Sequence, residues 1–341
     1  MSTTGTAEAW KRMVLRSMPP PAWLDQDAPH ADVVLSTRSR YLRNLQGHKF
    51  PHAADAEELQ AILKKVLGSL KDSRVEFGVH RHISNAEREY LVGCRLASPD
   101  FKWSEPGRAL LLDEDRRLSV MVNEEDHLRI QGLTAGWSAG TAQAIAHAGL
   151  NQLGRSLDYA WSPSFGYLAA SPYNAGKGHR LSAMFHLIGL AHSKRLPAVL
   201  KALASQGIVA RGLFGESSRA VGAFVQVSIV SGSLSEFVGA TEYLIREERE
   251  ARSSIPRPLL IQRVMQVRDF ALSSRKMSLA DSMRVFAFAR WAAYAGIEGF
   301  DFGPREVDAQ LTHLELHASG VEEKAARLRS EYVRSVLESS D

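Results

Sequence analysis

The order of strand-like and helix-like segments restricts the fold of this chain more than any single motif does. Apolar runs with strand character predict strands at residues 32–45, 89–96, 109–112, 118–128, 165–170, 208–214 and 223–230. Helical spacing of apolar residues in this part of the chain predicts helices only at residues 57–70, 139–157 and 180–190. Because the strands are not regularly separated by helices, the pattern argues against a doubly wound parallel sheet.

The C-terminal part of the chain has a different character. The composition shifts at residues 253–258, after an amphipathic helix predicted at residues 234–252, and every later segment has helical spacing. A chain of 341 residues is long enough for two domains. We expect an N-terminal helix and Pro-rich lead-in at residues 1–30, a mixed α and β domain at residues 31–254 and a helical domain at residues 259–341.

Composition excludes several classes of protein. Hydrophobic residues make up 45% and charged residues 23%, which is typical of a soluble globular protein, and no apolar run approaches the ~20 residues of a membrane helix. The first ten residues lack a secretory signal, and a single cysteine, Cys94, allows no internal disulfide and no paired-cysteine zinc site. The net charge of +4 is scattered, so we predict no nucleic-acid partner, no membrane association and a cytoplasmic location.

Unusual charge follows the strand predicted at residues 118–128. Glu124, Glu125 and Asp126 are consecutive carboxylates, and His127 and Arg129 come directly after them. In a continuous strand, Glu125, His127 and Arg129 would share one face. Three interpretations stay open: the acids bind Mg²⁺, they orient and deprotonate a basic substrate, or they form a solvated strand end paired with Arg129.

Five arginines lie near the ends of predicted strands or helices, where loops gather into sites: Arg38, Arg40, Arg129, Arg180 and Arg211. Arginine suits phosphate because its planar fork donates paired hydrogen bonds and stays charged. The loop at residues 171–178 contains two glycines and precedes a predicted helix, whose first N–H groups would favour anions. It is not a Walker A loop, because Lys177 lies between the glycines, and a plain turn is the alternative.

Four segments together resemble the ATP:guanido phosphotransferases, the family of creatine and arginine kinases, and most closely its bacterial protein arginine kinases of the McsB type. They are an arginine strand at residues 34–45, an Asn-Glu-Glu-Asp-His signature at residues 123–131, a Gly-Tyr-Leu…Pro-x-Asn-x-Gly-x-Gly-x-Arg segment at residues 165–190, and residues 211–222. The resemblance runs in order over residues 30 to 300. In the family's small-molecule kinases a helical domain precedes the arginine strand. Here only about 30 residues precede that strand and a helical region follows the catalytic segments, which resembles the arrangement of the protein arginine kinases.

The resemblance implies an α+β catalytic domain, glutamine-synthetase-like, in which helices flank an antiparallel sheet, followed by an all-helical C-terminal domain. It implies ATP and Mg²⁺ as cofactors, with no metal held by the protein itself. Catalytic roles are implied for Glu125, which would hold the guanidinium, for Glu216 as a second acid, and for Ser171. Nucleotide contacts are implied for the five arginines and for Ser36, Thr37, Ser39, Arg95, Lys177, Gly178, His179, Gly212 and Gly215.

The activity that the resemblance implies is phosphorylation of arginine side chains in proteins. Two alternatives stay open: a kinase for a small guanidino compound, and a weak or inactive nucleotide-binding regulator. The last is suggested by Ser171 in place of the family cysteine and by Arg95, Lys177 and Ile229 at other family positions. The family's Arg-Asp-x-x-Arg-Ala motif, which docks phosphoarginine, is missing near residues 320–326, which argues against phosphoarginine-dependent regulation. The implied partners are proteins with exposed arginine, a zinc-binding activator, a Clp-type unfoldase and a second copy of the chain.

Overall fold

An eight-stranded antiparallel sheet forms the centre of the computed structural model, which describes residues 20–24, 27–71, 74–212, 221–229, 233–298, 303–314 and 321–338. Its strands are β1 (Val34–Arg43), β2 (Phe77–His80), β3 (Ala109–Asp113), β4 (Leu118–Val122), β5 (Leu128–Ala135), β8 (His179–His186), β9 (Ile208–Gly212) and β10 (Phe224–Ile229). The spatial order is β2-β3-β4-β5-β1-β8-β10-β9, and β6 (Trp161–Ser162) pairs with β7 (Gly166–Tyr167) in a separate hairpin. The predicted fold class is confirmed.

Ten α-helices surround the sheet in the described part of the chain. They are α1 (Ala56–Ser69), α2 (Asn85–Gly93), α3 (Ala139–Leu153), α4 (Ile188–His192), α5 (Leu196–Ala204), α6 (Leu234–Ser253), α7 (Arg257–Ser273), α8 (Leu279–Ala295), α9 (Pro304–Leu311) and α10 (Glu322–Glu338). Several begin as their sequences predict: the Ser278 side chain caps α8, which ends at Gly296 in a left-handed conformation with φ of 58°.

One face of the sheet is covered by α1, α3 and α6. Residues of α1 and α3 share an apolar cluster with β3, β4 and β5, and α6 packs on alternate residues of β8 and β10. The helix α3 approaches β5 closely at Gly132, where an added Cβ would lie 2.4 Å from the Ala142 carbonyl oxygen. A side chain at position 132 would therefore separate α3 from the sheet.

The opposite face of the sheet is covered only at its two sides. At one side, α2 and Trp23 pack on Leu112, Met121 and Leu133. At the other side, α7, α8, α9 and α10 form an apolar cluster that includes Met184 of β8. The centre of this face, along β5, β1 and β8, is left open between the two clusters. The domain boundaries stay predictions.

Three predicted elements are wrong, each for a physical reason. Residues 89–96 belong not to a strand but to α2 and its end, because Ser84 and Glu87 form a reciprocal capping box that starts a helix. Residues 180–190 are mostly strand β8, which is paired on both sides by β1 and β10. The single strand predicted at residues 118–128 is two strands joined by a turn, in which Asn123 adopts a left-handed φ of 57°.

The strand predicted at residues 165–170 is shorter than expected, since only Gly166–Tyr167 is extended and paired. The helix expected within residues 1–30 lies largely outside the described residues. Among the residues that are described, no helix combines the length and apolar character needed to cross a membrane.

Candidate active site

A cleft of about 860 Å³ occupies the open centre of the sheet face. Its arginines are Arg38, Arg40, Arg95, Arg108, Arg129, Arg180 and Arg211. Glu124 and Glu125 line it at the β4–β5 turn, Ser171, Tyr173 and Asn174 line it from the loop before β8, and Asp308 lines it from α9. The sheet, one turn, one loop and the C-terminal helices therefore meet at one site.

Strand alternation and register bring the cleft arginines together. Arg38 and Arg40 are two residues apart on β1, so they point to the same face. Arg40 lies directly opposite Arg180 of β8. Arg129 of β5 is paired with Leu42, one position further along the cleft face of β1, and Arg211 is the partner of Gln226 on the neighbouring pair of strands. The five arginines predicted from the sequence all line this cleft.

The positive charges of the cleft are poorly balanced by nearby acids. Burial, and then the charges of Arg129 and Arg95, lower the pKa of Arg38 to about 9. Burial and the neighbouring arginines also lower the pKa of Arg40 well below its usual value. Because a guanidinium keeps its proton in proteins, these shifts indicate charges held at a cost that a bound anion would offset.

Arg38 and Arg40 have no carboxylate within ion-pair distance in the part of the chain that the structure describes. Arg38 donates instead to the side-chain oxygen of Gln226, at 2.8 Å. The nearest acidic influence on Arg40 is Glu124, whose own ion pair is made with Arg129 at 2.9 Å. The wall formed by β1 is thus suited to an anion with several negative oxygens.

The β4–β5 turn presents its acids in different ways. Glu124 is the partner of Arg129, which brings its pKa below the usual value although burial acts to raise it. Glu125 is exposed at the mouth of the cleft, where its carboxylate accepts a hydrogen bond from the Asn174 side-chain amide at 3.5 Å. Partial burial, followed by the charges of Asp126 and Glu124, raises the pKa of Glu125.

Asp126 and His127 hold the turn in place rather than face the cleft. Asp126 accepts hydrogen bonds from the side chain of Asn44 at 2.6 Å and from the backbone of Ala170 at 2.7 Å. His127 accepts from the Leu45 backbone at 2.9 Å, and burial lowers its pKa to about 4. The expectation that His127 shares a face with Glu125 and Arg129 is wrong, because the segment is a turn and not a strand.

Several predicted nucleotide contacts lie on the face of the sheet away from the cleft. The Thr37 hydroxyl donates to the Gly136 carbonyl at 2.6 Å and accepts from the Ser138 backbone. Ser39 is hydrogen-bonded to His179 at 2.9 Å, and the ring of His179 stacks on Tyr41. Alternation along β1 and β8 turns the side chains of Thr37, Ser39 and His179 away from the arginines, so the structure does not bring them to the cleft wall, and their nucleotide contacts stay predictions.

Three further residues that were predicted to contact the nucleotide do not line the cleft. Ser36 is buried, and its hydroxyl accepts from the guanidinium of Arg95, which itself lines the cleft. Gly178 has a φ of +54°, and an added Cβ would lie 2.5 Å from the guanidinium of Arg43. Lys177 is exposed and does not line the cleft. Ser36, Gly178 and Lys177 are therefore not brought to the cleft wall, whereas Gly212 is.

Some cleft residues were not predicted from the sequence, and two predicted ones cannot be placed. Gln226 alternates with buried Val225 and Val227 on β10, so its strand pattern could have indicated a residue facing the cleft. Asp308 comes from a helix far along the chain and gives no local signal. Gly215 and Glu216 lie outside the described residues.

An antiparallel sheet whose arginine-lined cleft ends at an exposed carboxylate defines a phosphotransferase-type site. Residues 58–248 match the profile of the ATP:guanido phosphotransferase C-terminal catalytic domain. A protein-arginine kinase of Pelotomaculum thermopropionicum is 33% identical over 285 residues, which are 79% of this chain and 80% of the relative. The chain belongs to the ATP:guanido phosphotransferase family.

Other similar proteins agree with this assignment. A protein-arginine kinase of Shouchella clausii is 35% identical over 246 residues, 68% of this chain and 69% of the relative. Among solved structures, lombricine kinase aligns with a TM-score of 0.56 at 19% identity, covering 73% of this chain and 79% of that one. The duplicated taurocyamine kinase of Schistosoma mansoni with bound transition state analog components gives a TM-score of 0.57 at 20% identity, and the match spans 72% of this chain and 39% of that one.

Proposed function

We propose that this chain transfers the terminal phosphoryl group of ATP to arginine side chains of proteins. The observation that carries the proposal is the joining, in one cleft, of the half-buried Arg38 and Arg40, which lack carboxylate partners in the described structure, with the exposed carboxylate of Glu125 at the mouth. The choice of a protein substrate is supported by the names of the relatives, which are protein-arginine kinases at 33 to 35% identity.

The arginine wall fits the polyphosphate of a nucleotide. Arg38, Arg40 and Arg180 lie on adjacent strands, so their guanidinium groups can contact several phosphate oxygens at once. Phosphoryl transfer proceeds through a loose, anionic transition state, which depends mainly on alignment and fixed positive charge. Because a guanidinium keeps its proton in proteins, this charge is present before the nucleotide binds, and the lowered pKa of Arg38 and Arg40 reflects the cost of holding it without a bound anion.

Mg²⁺ is expected to enter together with the phosphates. In the described part of the chain, no three His, Cys, Asp or Glu side chains come together in a way that could hold a metal ion. When bound, Mg²⁺ would supply additional neutralisation of the phosphate oxygens. The protein side chains would meanwhile hold the polyphosphate in position from the β1 and β8 side.

Glu125 is positioned to act on the acceptor. A guanidinium is a cation with a pKa above ~12, so it must lose a proton before its nitrogen is a useful nucleophile. In the proposed reaction that nitrogen forms a bond to the terminal phosphorus, the bond from phosphorus to the leaving ADP oxygen breaks, and the nitrogen proton passes to Glu125. The raised pKa of Glu125 makes it a better proton acceptor than an ordinary glutamate.

Ser171 is the specific observation that favours a weakly active or inactive regulator instead. It lines the cleft near Asn174, and its hydroxyl cannot replace the reactive thiolate that a cysteine at this position could supply. Such a regulator would bind MgATP without transferring phosphate to any guanidine. ADP release with free arginine as the acceptor would distinguish a small-molecule guanidino kinase from a kinase that acts on proteins.

The remaining expectations are also proposals. We place the protein in the cytoplasm, and the roles of Glu216, of a zinc-binding activator, of a Clp-type unfoldase and of a homodimer stay predictions from the family resemblance.

The test is phosphorylation of an unfolded, arginine-containing protein. The purified chain is incubated with MgATP, and the products are analysed by mass spectrometry without acid treatment, because phosphoarginine is acid-labile. We expect phosphate on arginine, lost with Glu125→Gln and kept with Glu57→Gln, a matched change at an exposed glutamate on α1. Absence of phosphoarginine from the wild-type reaction would contradict the proposal.

A further inference from the structure

Exposed aromatic side chains are concentrated in the segment at residues 161–173, which reaches the cleft at Tyr173. Within the described residues, four aromatic side chains are exposed large hydrophobics, and three of them fall between positions 161 and 173: Trp161 at 55% exposure, Phe165 at 69% and Tyr173 at 82%. Single exposed apolar residues are normal on a protein surface, but a local group of them commonly marks an interaction site. We call these three residues the aromatic platform.

The two segments that carry the platform form one unit. Trp161 and Phe165 belong to the β6–β7 hairpin, and Tyr173 belongs to the loop before β8. Tyr167 and Gly176 exchange two backbone hydrogen bonds, of 2.9 and 3.0 Å, which join the hairpin to the loop. Gly166 approaches so closely that an added Cβ would lie 2.7 Å from the Gly176 carbonyl oxygen. The platform is therefore built on a fixed surface.

This unit is attached directly to both halves of the cleft. The backbone of Ala170 donates to Asp126, next to the proposed proton acceptor, and the Asn174 side chain reaches Glu125 at 3.5 Å. The Tyr173 carbonyl accepts a hydrogen bond from Arg180 at 3.5 Å, and Tyr173 itself lines the cleft. A molecule that presents a guanidinium to Glu125 would thus have its flanking groups near the platform.

The chemistry of the platform identifies its occupant. No charged residue occurs between positions 161 and 174, whereas the adjoining cleft is lined by arginines and acids. An uncharged aromatic surface offers contact area to apolar side chains. An extended chain places neighbouring side chains ~3.3 Å apart along its length, so residues beside an arginine can reach past the cleft mouth.

We propose that the aromatic platform binds extended polypeptide segments in which apolar side chains flank the acceptor arginine. Such segments are exposed when proteins unfold and buried when they are folded. The platform would thereby select unfolded acceptors over free arginine. This inference rests on the proposed function, but the platform can be tested by binding as well as by turnover.

The experiment compares two fluorescently labelled peptides of equal length and charge, each with one arginine. One has Leu and Phe around the arginine, and the other has Gly and Ser. Peptide affinity is measured by anisotropy in the presence of MgADP, and kcat/KM by ADP release with MgATP. For the wild type we expect the apolar peptide to be favoured about tenfold or more in both measurements.

The double variant Trp161→Ser, Phe165→Ser should reduce this preference towards one. The control Phe270→Ser removes another exposed aromatic side chain, from α7, and should keep it. An unchanged preference in the double variant, with its melting temperature preserved, would overturn the inference. The inference would also be overturned if the only effect of the double substitution were loss of a dimer, because a second copy of the chain would then be the occupant of the platform.

Failure of the proposed function gives a different result. If no phosphate reaches either peptide but the wild type still binds the apolar peptide through the platform, the activity is wrong and the binding surface stands. If phosphate is transferred to both peptides equally, the activity stands and the platform is wrong. The single variant Phe165→Ser provides the same comparison should the double variant fold poorly.

Discussion

Two groups of buried or half-buried arginines in this protein differ in their partners. Arg252 is held by Glu248 at 2.6 Å, and Arg290 by Asp308 at 2.6 Å, so each of these arginines has its own carboxylate. In the cleft, Arg38 and Arg40 have none among the described residues, and each lies within the field of other arginines. The first group stabilises the packing of helices. The second leaves positive charge that a ligand can use, so the presence of a paired carboxylate separates arginines that build the fold from arginines that bind.

The largest expected effect is on catalysis, from Arg40→Met. Loss of one fixed charge aimed at the polyphosphate should reduce kcat/KM for phosphoryl transfer by about a thousandfold. The free energy of unfolding should stay unchanged or increase, because Arg40 is surrounded by like charges. Initial rates of ADP release and denaturant unfolding measure the two effects. A variant that loses activity only because it unfolds would contradict the distinction between the two groups.

The opposite result is expected from Glu248→Ala. Glu248 is fully buried and accepts from the backbone of Gly189 at 2.8 Å, from Leu190 at 2.9 Å and from Arg252. Its removal leaves a buried guanidinium and two amide groups without their partner, which should lower the free energy of unfolding by about 3–5 kcal/mol. Urea titration measures this loss. Under conditions where the variant is folded, its activity should be close to that of the wild type. A thousandfold drop in the activity of the folded variant would contradict the claim that the paired arginines build the fold and do not bind the ligand.

The smallest effect concerns the charge of Glu125. The pKa of Glu125 is raised in the folded protein, so its protonated form stabilises the fold. This contribution is fully present below the pKa that Glu125 has in the unfolded chain, and it is lost as the pH rises through the pKa of the folded protein. Ionised Glu125 therefore destabilises the unliganded protein at neutral pH. Glu125→Gln should raise the melting temperature at about pH 7–8, and the difference should vanish near pH 4. A variant that melts below the wild type at neutral pH would show that Glu125 has a stabilising partner.

Much of the cleft follows from sequence pattern, because strand alternation fixes which residues share a face. Arg38 and Arg40, two apart on one strand, could be placed together without a structure. Arg129, Arg180 and Arg211 were singled out by their positions at the ends of predicted elements, and the family resemblance implied that all five share one site. The resemblance alone could not show which residues between the arginines point away. Thr37 and Ser39 belong to the same motif, but their hydroxyl groups bond within the fold.

The errors in predicted elements have physical origins. The pattern predicts a helix at residues 180–190, yet residues 179–186 form a strand, because pairing with strands on both sides overrides weak local preference. Its alternation of Leu181, Ala183 and Phe185 with Ser182 and Met184 was nevertheless a strand signal. The contribution of Asp308 could not be predicted, because it depends on how a distant helix docks beside the cleft.

The most direct test of the central claim is calorimetric titration of MgATP into the wild type, Arg40→Met and Arg252→Met. Both variants remove one arginine charge, but only Arg40 lacks a carboxylate partner in the described structure and lines the cleft. We predict binding to the wild type, binding weakened about thirtyfold or more in Arg40→Met, and wild-type affinity in folded Arg252→Met. Equal affinity in the wild type and Arg40→Met, or no binding to the wild type, would contradict the assignment of the cleft arginines to the nucleotide.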